Sequence, residues 1–155
     1  MNLTKNFTLH EMTKSDTALR KGLDNQPSET ELKSLIILAQ EILQPVRDHY
    51  KMGVKVNSGY RSPLVNTATG GSKTSDHMTG AAADIEIPSV PNADLALFIS
   101  QNFKFTQIIL EFYTQGIPDS GWVHVSYNPS NLKCQVITAV KNKEGKTVYL
   151  NGIHI

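Results

Sequence analysis

The stretch that decides the fold runs from Ser75 to Ile87 and reads Ser-Asp-His-Met-Thr-Gly-Ala-Ala-Ala-Asp-Ile-Glu-Ile. Its first half closes a loop rich in glycine, serine and threonine that begins at Thr67. Its second half, from Ala81 to Ile87, predicts a strand. Asp84 lies inside that strand among apolar neighbours, where a half-buried carboxylate needs a cation or hydrogen-bond donors. The stretch therefore predicts a strand that leads out of a loop and carries a polar site.

Helices are predicted on the N-terminal side of this stretch. Thr8–Glu11 and Ser28–Glu31 both have the capping-box pattern, in which a hydroxyl and a glutamate satisfy free amides at a helix start. The second box opens a helix that runs toward Tyr50, because its apolar residues recur on one face. Pro45 is expected to bend that helix or to start a new turn.

Strands predominate on the C-terminal side. The sequence predicts them at 54–58, 107–113, 122–127, 135–141 and 146–150, with one helix from Pro91 among them. Because the helices come first and only one helix separates strands, we expect an α+β fold. In that fold, N-terminal helices pack on a small, mainly antiparallel sheet that bears the polar site. The length of 155 residues predicts a single domain, residues 1–155.

The composition excludes several classes of protein. Lys plus Arg number 15 and Asp plus Glu number 14, which argues against a nucleic-acid binder with a basic face. No apolar run approaches the roughly 20 residues that span a bilayer, so we expect no membrane insertion. The N-terminus has no apolar signal segment, which predicts synthesis in the cytoplasm. A single cysteine excludes a zinc site built from cysteines.

Two imidazoles and two carboxylates stand out as candidates for chemistry. His77 and Asp84 flank the small residues of the quoted stretch, His124 lies on the strand from Trp122, and Glu111 is an isolated acid. Two histidines and one carboxylate make a catalytic zinc set that leaves a fourth position for water. The alternative is that His77 is an ordinary loop histidine and Asp84 a hydrogen-bonded residue of the strand.

These segments together resemble a known family. The pattern Ser75-x-His77-x-x-Gly80-x-Ala82-x-Asp84, followed by Trp122-x-His124, is similar to the signature of the zinc D-Ala-D-Ala metallopeptidases. That family includes D-alanyl-D-alanine carboxypeptidases, dipeptidases and phage endolysins. The upstream segment Ser58–Pro63 also resembles the arginine-bearing segment of the family.

The resemblance implies roles for individual residues. It implies Zn²⁺ held by His77, Asp84 and His124, and Arg61 as the group that binds and polarises the substrate carbonyl or carboxylate. Ser75 and Tyr60 would line the pocket, and Trp122 is either a wall of the site or part of the core. From the residues alone, Arg61 could also be a surface arginine in a turn.

The general base departs from the family pattern. Many members carry a glutamate three residues before the last histidine ligand, and here that position is Gly121. We favour Glu111 as the base, because its strand can pair with the His124 strand and its apolar neighbours can raise its pKa. Asp119, on the loop before Trp122, is the second candidate; otherwise it is a solvated turn residue.

The resemblance implies a zinc-dependent peptidase that hydrolyses D-amino-acid-containing stem peptides of peptidoglycan, as a carboxypeptidase or an endolysin-type endopeptidase. One alternative is a catalytically weak or inactive zinc module that binds cell-wall peptide or serves as a phage structural component. Another is a structural domain without metal. The expected partner is the peptidoglycan stem peptide, and we expect a monomer. It would act at the cell wall or in the periplasm after release, through phage lysis or from a virion.

Overall fold

The computed structural model describes residues 1–155 and has the predicted α+β architecture. The helices are α1 (Leu9–Thr13), α2 (Asp16–Lys21), α3 (Glu29–Leu38), α4 (Gln44–Tyr50), α5 (Pro63–Ala68) and α6 (Asn92–Asn102). The strands are β1 (Lys55–Ser58), β2 (Ala82–Glu86), β3 (Gln107–Glu111), β4 (Trp122–Ser126), β5 (Gln135–Lys141) and β6 (Thr147–Asn151). Every predicted strand forms, with its ends within two residues of the predicted bounds. None of these helices combines the length and the apolar composition that a bilayer span requires.

Of the two predicted capping boxes, one forms as expected and the other does not. At α1 the predicted capping box is confirmed, because Thr8 Oγ1 accepts from Glu11 N at 3.2 Å and Glu11 Oε2 accepts from Thr8 N at 2.9 Å. At α3 the helix begins where predicted, but the Ser28 side chain makes no capping hydrogen bond. A π-helical turn, Ala39–Leu43, joins α3 to α4 just before Pro45. Proline offers no N–H, and the wider turn accommodates its ring without ending the helix.

One prediction about the loop before β2 is wrong. The loop contains a 3₁₀-helix, Asp76–Thr79, in the part expected to be irregular. Ser75 caps this short helix, because its hydroxyl accepts a hydrogen bond from His77 N at 3.2 Å. The consequence is that His77 is held on a regular turn rather than on a free loop.

The sheet has six strands in the order β1-β2-β4-β3-β5-β6. All neighbouring strands are antiparallel except β3 and β5, which are parallel. The sheet is therefore mainly antiparallel, as the sequence predicts. Strand β4, which carries His124, lies between β2 and β3, so that one row of the sheet joins side chains from three segments distant in sequence.

The two faces of the sheet have different partners. On one face, buried residues pack against the helices: Ala83, Ile85, Ile108, Leu110, Val123 and Val125 from the strands, and Leu35, Leu38, Ile42, Leu95 and Ile99 from the helices. Because successive residues of a strand point to opposite faces, the residues between them lie on the other face. That second face is not covered by the large helices and forms the floor of a cavity of about 940 Å³.

Candidate active site

Three side chains that can bind a metal meet on the floor of this cavity. His77 comes from the 3₁₀-helix, Asp84 from β2 and His124 from β4, and Asp84 is directly opposite His124 in the antiparallel pair. The distance from Asp84 Oδ1 is 3.0 Å to His124 Nδ1 and 3.3 Å to His77 Nε2. The ligand atoms of the three residues all lie within 4.8 Å of one another.

The geometry of this cluster fits a zinc ion. Nitrogen and oxygen ligands lie about 2.0–2.1 Å from a tetrahedral zinc, so neighbouring ligand atoms are about 3.3 Å apart. The two measured separations, 3.0 and 3.3 Å, are close to that value. In addition, His77 Nε2 is buried and has no hydrogen-bond partner, which is costly unless a ligand satisfies it. The donor set, two imidazoles and one carboxylate, is that of catalytic zinc sites.

The orientation of His77 is set by a backbone group. Its Nδ1 lies 2.7 Å from the carbonyl oxygen of Gly59, and this contact directs Nε2 toward Asp84. A hydrogen bond from the second ring nitrogen of a histidine ligand fixes its tautomer and ring orientation. The backbone N–H of Arg61 donates to the His77 carbonyl at 3.1 Å. The arginine-bearing segment and the histidine-bearing helix are thus tied to each other.

The charges in the cluster shift two pKa values. Burial alone would raise the pKa of Asp84, but the hydrogen bond with His124 and the adjacent His77 ring outweigh it and hold that pKa well below its usual range. Burial lowers the pKa of His124, whereas its hydrogen bond with Asp84 raises it, and the net pKa is above the ordinary value. Asp84 is therefore an anion at neutral pH, as a metal ligand must be.

Glu111 lies on the same face of the sheet as the cluster, two residue pairs along β3 and β4 from His124. Ile109 is opposite His124, and Glu111 is opposite Trp122. The indole N–H of Trp122 donates to Glu111 Oε2 at 2.6 Å and so holds the carboxylate in the cavity. Burial raises the pKa of Glu111, and the negative charge of Asp84 adds to this rise. Both effects act in the direction that a general base at neutral pH requires.

Arg61 also lines the cavity and keeps free donors. Its Nη1 donates to Thr69 Oγ1 at 3.2 Å, while its Nε is buried without a partner. Burial lowers the pKa of the guanidinium, and the carboxylates of Asp84 and Glu111 act in the opposite direction. A guanidinium stays charged at neutral pH, so Arg61 offers a forked set of donors on the cavity wall.

Four further residues were predicted to belong to the site. Two of them line the cavity, and two lie elsewhere. Ser75 and Trp122 line the cavity. Tyr60, predicted to line the pocket, is instead buried in the core, at 4% exposure, and is not on the cavity wall. Asp119, the second candidate for the base, lines a separate cavity with Pro118. The reason is that α6 holds the loop before β4, since Asn92 N donates to the Pro118 carbonyl at 3.0 Å.

Two parts of the site were not predicted from the sequence: the Gly59 carbonyl, and the cavity wall formed by β5 and β6. The Gly59 carbonyl that orients His77 is a backbone group. Every residue type has such a carbonyl, so the sequence does not indicate this contact. Lys141, Thr147 and Tyr149 line the cavity from β5 and β6. The alternation of side chains along β5 and β6 shows which residues share a face. It identifies the cavity face only when the pairing of β5 with β3 is known.

The structure gives a physical reason for glycine at position 121. Gly121 has a left-handed backbone with φ +64°, and an added Cβ would overlap the backbone oxygen of Glu111 and approach the Phe112 carbonyl carbon to 2.8 Å. A side chain at this position is excluded because the backbone of Gly121 passes close to the backbone of Glu111 and Phe112. The glutamate that many relatives carry here has no room in this backbone.

We expect Gly121→Ala to destabilise the protein strongly. A left-handed backbone costs a non-glycine residue about 1–2 kcal/mol, and the steric overlap adds about 1–3 kcal/mol. The matched control is Gly116→Ala, because Gly116 also has a positive φ but a Cβ there meets nothing within 4 Å. Urea unfolding should show a clearly larger loss of unfolding free energy for Gly121→Ala. Equal losses would mean that the overlap is relieved at no cost.

The comparison with known families agrees with this site. The sequence model described as Peptidase M15 matches residues 5–126, which are 122 of the 155 residues. The matched segment includes the whole His77–Asp84–His124 cluster and ends with β4, so that β5 and β6 lie outside it. None of the curated proteins matches the chain.

Proposed function

The chain belongs to the M15 family of zinc-dependent peptidases, and from this premise we propose that it hydrolyses D-amino-acid-containing stem peptides of peptidoglycan. The joint placement of the metal-binding cluster, Arg61 and Glu111 in one open cavity carries the proposal. The enzyme acts as a carboxypeptidase or as an endolysin-type endopeptidase. It works as a monomer at the cell wall after its release.

The proposed ligands are His77, Asp84 and His124. Zinc in such a site polarises a carbonyl group and makes water a stronger nucleophile at neutral pH. The chain itself supplies an anionic carboxylate and two imidazoles, of which His77 is oriented by the Gly59 carbonyl. These three side chains are nearly fully buried and occupy fixed positions on β2, β4 and a capped turn, which favours a preformed site.

Glu111 is the proposed general base. Its carboxylate would accept a proton from the water that adds to the scissile carbonyl carbon. It would then pass that proton to the nitrogen that leaves when the C–N bond breaks. The hydrogen bond from Trp122 restrains the carboxylate, and the raised pKa improves proton transfer near neutral pH. Asp119 lines a separate cavity, and this favours Glu111 over Asp119 for the role.

Arg61 is the proposed anchor for the substrate. Its guanidinium can donate two hydrogen bonds to a substrate carboxylate or to the oxygen that becomes negative during hydrolysis. The segment that carries Arg61 is fixed by Asn25, whose Oδ1 accepts from Ser62 N at 2.7 Å. The negative charges of Asp84 and Glu111 act on the guanidinium across the cavity, but neither carboxylate forms an ion pair with it, so its donors stay available to a substrate.

We expect Arg61→Ala to lower kcat/KM with little effect on folding. Losing a charge-assisted contact in the transition state costs about 2–4 kcal/mol, which corresponds to about a 30- to 1,000-fold decrease. Steady-state hydrolysis of a peptide ending in D-Ala-D-Ala measures this effect. Arg20→Ala is the control, because Arg20 is exposed on α2 away from the cavity. Native kcat/KM in Arg61→Ala would remove Arg61 from the site.

A second candidate function follows from Gly121. Because no side chain fits at the position where many relatives carry a glutamate, the chain could have lost efficient catalysis. It would then be a zinc module that binds cell-wall peptide or forms part of a phage particle. Turnover separates the two functions: the binding module retains zinc and peptide affinity but does not release products.

Product analysis tests the proposed function. Purified peptidoglycan is incubated with the zinc-loaded protein, and the soluble products are identified by mass spectrometry. Release of D-alanine indicates a carboxypeptidase, and release of cut stem peptides or cross-links indicates an endopeptidase. The Glu111→Gln protein is the matched control. Intact peptidoglycan after incubation with the wild-type protein would contradict hydrolysis and favour the binding module.

A further inference from the structure

The hairpin of β5 and β6 forms a wall of the cavity although it lies beyond the residues that the family model matches. Lys141, Thr147 and Tyr149 from this hairpin line the same cavity as the His77–Asp84–His124 cluster. The side chain of Tyr149 is 57% exposed, although tyrosine is a large aromatic residue. An exposed aromatic and a lysine on the wall of an active-site cavity are placed to contact the substrate.

The strand register shows how this wall continues the floor of the site. Glu111 is paired with Trp122 on one side and with Ala139 on the other. Ala139 is in turn paired with Tyr149. Because directly paired residues share one face of a sheet, the row runs from Trp122 through Glu111 to Tyr149 on the cavity face. The hairpin is therefore an extension of the surface that carries the proposed base.

The ammonium group of Lys141 contacts Thr147 and the Phe112 ring but forms no ion pair with a carboxylate of the protein. Its Nζ donates to Thr147 Oγ1 at 2.9 Å and lies 5.1 Å from the centre of the Phe112 ring. Both contacts restrict the position of the charge, and the second is within the range of a cation–π interaction. No carboxylate of the protein forms an ion pair with Lys141. The lysine therefore presents an uncompensated positive charge to the cavity.

Phe112, which lies under this charge, is held in an unusual backbone conformation. It has φ +58°, and its ring packs edge-on against Trp122 with 5.6 Å between the ring centres. A left-handed backbone is costly at a non-glycine residue, and strained positions of this kind are enriched at binding and catalytic sites. The Phe112 ring thus neighbours both the Trp122 indole and the Lys141 ammonium, which links the site to the hairpin.

We propose that Lys141, together with Phe112 and Tyr149, forms a subsite for a second carboxylate of the peptide substrate, remote from the scissile bond. The inference rests on the proposed function and adds a preference for an acidic substrate to it.

The subsite is remote from the metal-binding cluster. Two steps between strands and four residues along β5 separate His124 from Lys141, which gives roughly 16 Å between their Cα atoms. An extended peptide needs about five residues to cover that distance, or fewer because the lysine side chain reaches back toward the cavity.

The test is a comparison of binding by two synthetic peptides. Both end in D-Ala-D-Ala with an N-methylated scissile bond, and they differ only in a glutamyl or a glutaminyl residue four positions before the last residue. Trp122 is the single tryptophan and lines the cavity, so its fluorescence reports binding to zinc-loaded protein without turnover. We expect the wild type to bind the glutamyl peptide about tenfold more tightly, as one charge-assisted contact provides.

Two variants make the comparison specific. Lys141→Met should bind both peptides equally, whereas Lys143→Met should keep the wild-type preference, because Lys143 is exposed in the hairpin turn and does not line the cavity. The absence of a preference in the wild type, or an unchanged preference in Lys141→Met, would overturn the subsite. Hydrolysis of the unmethylated peptides is measured separately. A glutamyl preference without hydrolysis would contradict the proposed function but support the subsite, and hydrolysis without a preference would do the reverse.

Discussion

Glu111→Gln should lower kcat about 10²- to 10⁴-fold while the protein still folds and binds zinc. This range is the usual contribution of a general base or acid, and the amide can no longer accept and return a proton. The change preserves the size of the side chain and keeps an oxygen that can accept the Trp122 N–H, so the packing around the hydrogen bond of 2.6 Å should persist. Single-turnover hydrolysis and zinc content, measured on the same preparation, check both parts of the prediction.

Asp119→Asn is the matched control for this experiment. It makes the same change from a carboxylate to an amide on the connection between β3 and β4, but at a residue that lines a separate cavity. Its kcat should remain close to that of the wild type. If Asp119→Asn lost activity and Glu111→Gln did not, Asp119 would be the base and Glu111 a structural acid. If neither change mattered, proton transfer would not depend on either carboxylate.

His124→Ala should abolish stoichiometric zinc binding and, with it, hydrolysis. The change removes one of three ligand atoms that lie within 4.8 Å of one another, and two remaining side chains do not form a closed zinc set. It also leaves the buried Asp84 without its hydrogen bond of 3.0 Å from His124. Elemental analysis of protein purified without chelators should give about one zinc per wild-type chain and almost none in the variant.

A second histidine provides the control for that measurement. His154 is exposed in the C-terminal tail, so that His154→Ala removes an imidazole of the same chemistry without touching the cluster. The zinc content of this variant should equal that of the wild type. Circular dichroism of both variants separates loss of metal from loss of fold. A folded His124→Ala protein that retained one zinc would show that His124 is not a ligand.

Local signals in the sequence predicted most of the elements. The alternation of β1 and the capping box at Thr8–Glu11 depend on neighbours within a few residues, and the structure confirms both. The 3₁₀-helix Asp76–Thr79 was missed because its sequence is that of a loop, and its stability comes from the Ser75 cap and from contacts with distant segments. The parallel pairing of β3 with β5 joins residues about 28 positions apart, and no local pattern encodes it.

The part of the candidate site that depends on residue type could be predicted from the sequence. His77, Asp84 and His124 are recognisable by residue type and spacing, and the structure places them together. The choice between Glu111 and Asp119 depended on strand pairing, which the sequence only suggested and which the register of β3 with β4 supports. The family resemblance alone assigned Tyr60 to the pocket. Adjacent residues of an extended segment point in opposite directions, and Tyr60 takes the side that faces the core.

A zinc peptidase with its metal at His77, Asp84 and His124 should depend on one zinc ion per chain. The most direct test is a titration of metal-free protein with zinc while hydrolysis of a peptide ending in D-Ala-D-Ala is followed. We expect no hydrolysis without metal, a linear rise in rate with added zinc and a plateau at one equivalent per chain. Hydrolysis that persists in the metal-free protein, or no hydrolysis at one equivalent of bound zinc, would contradict it.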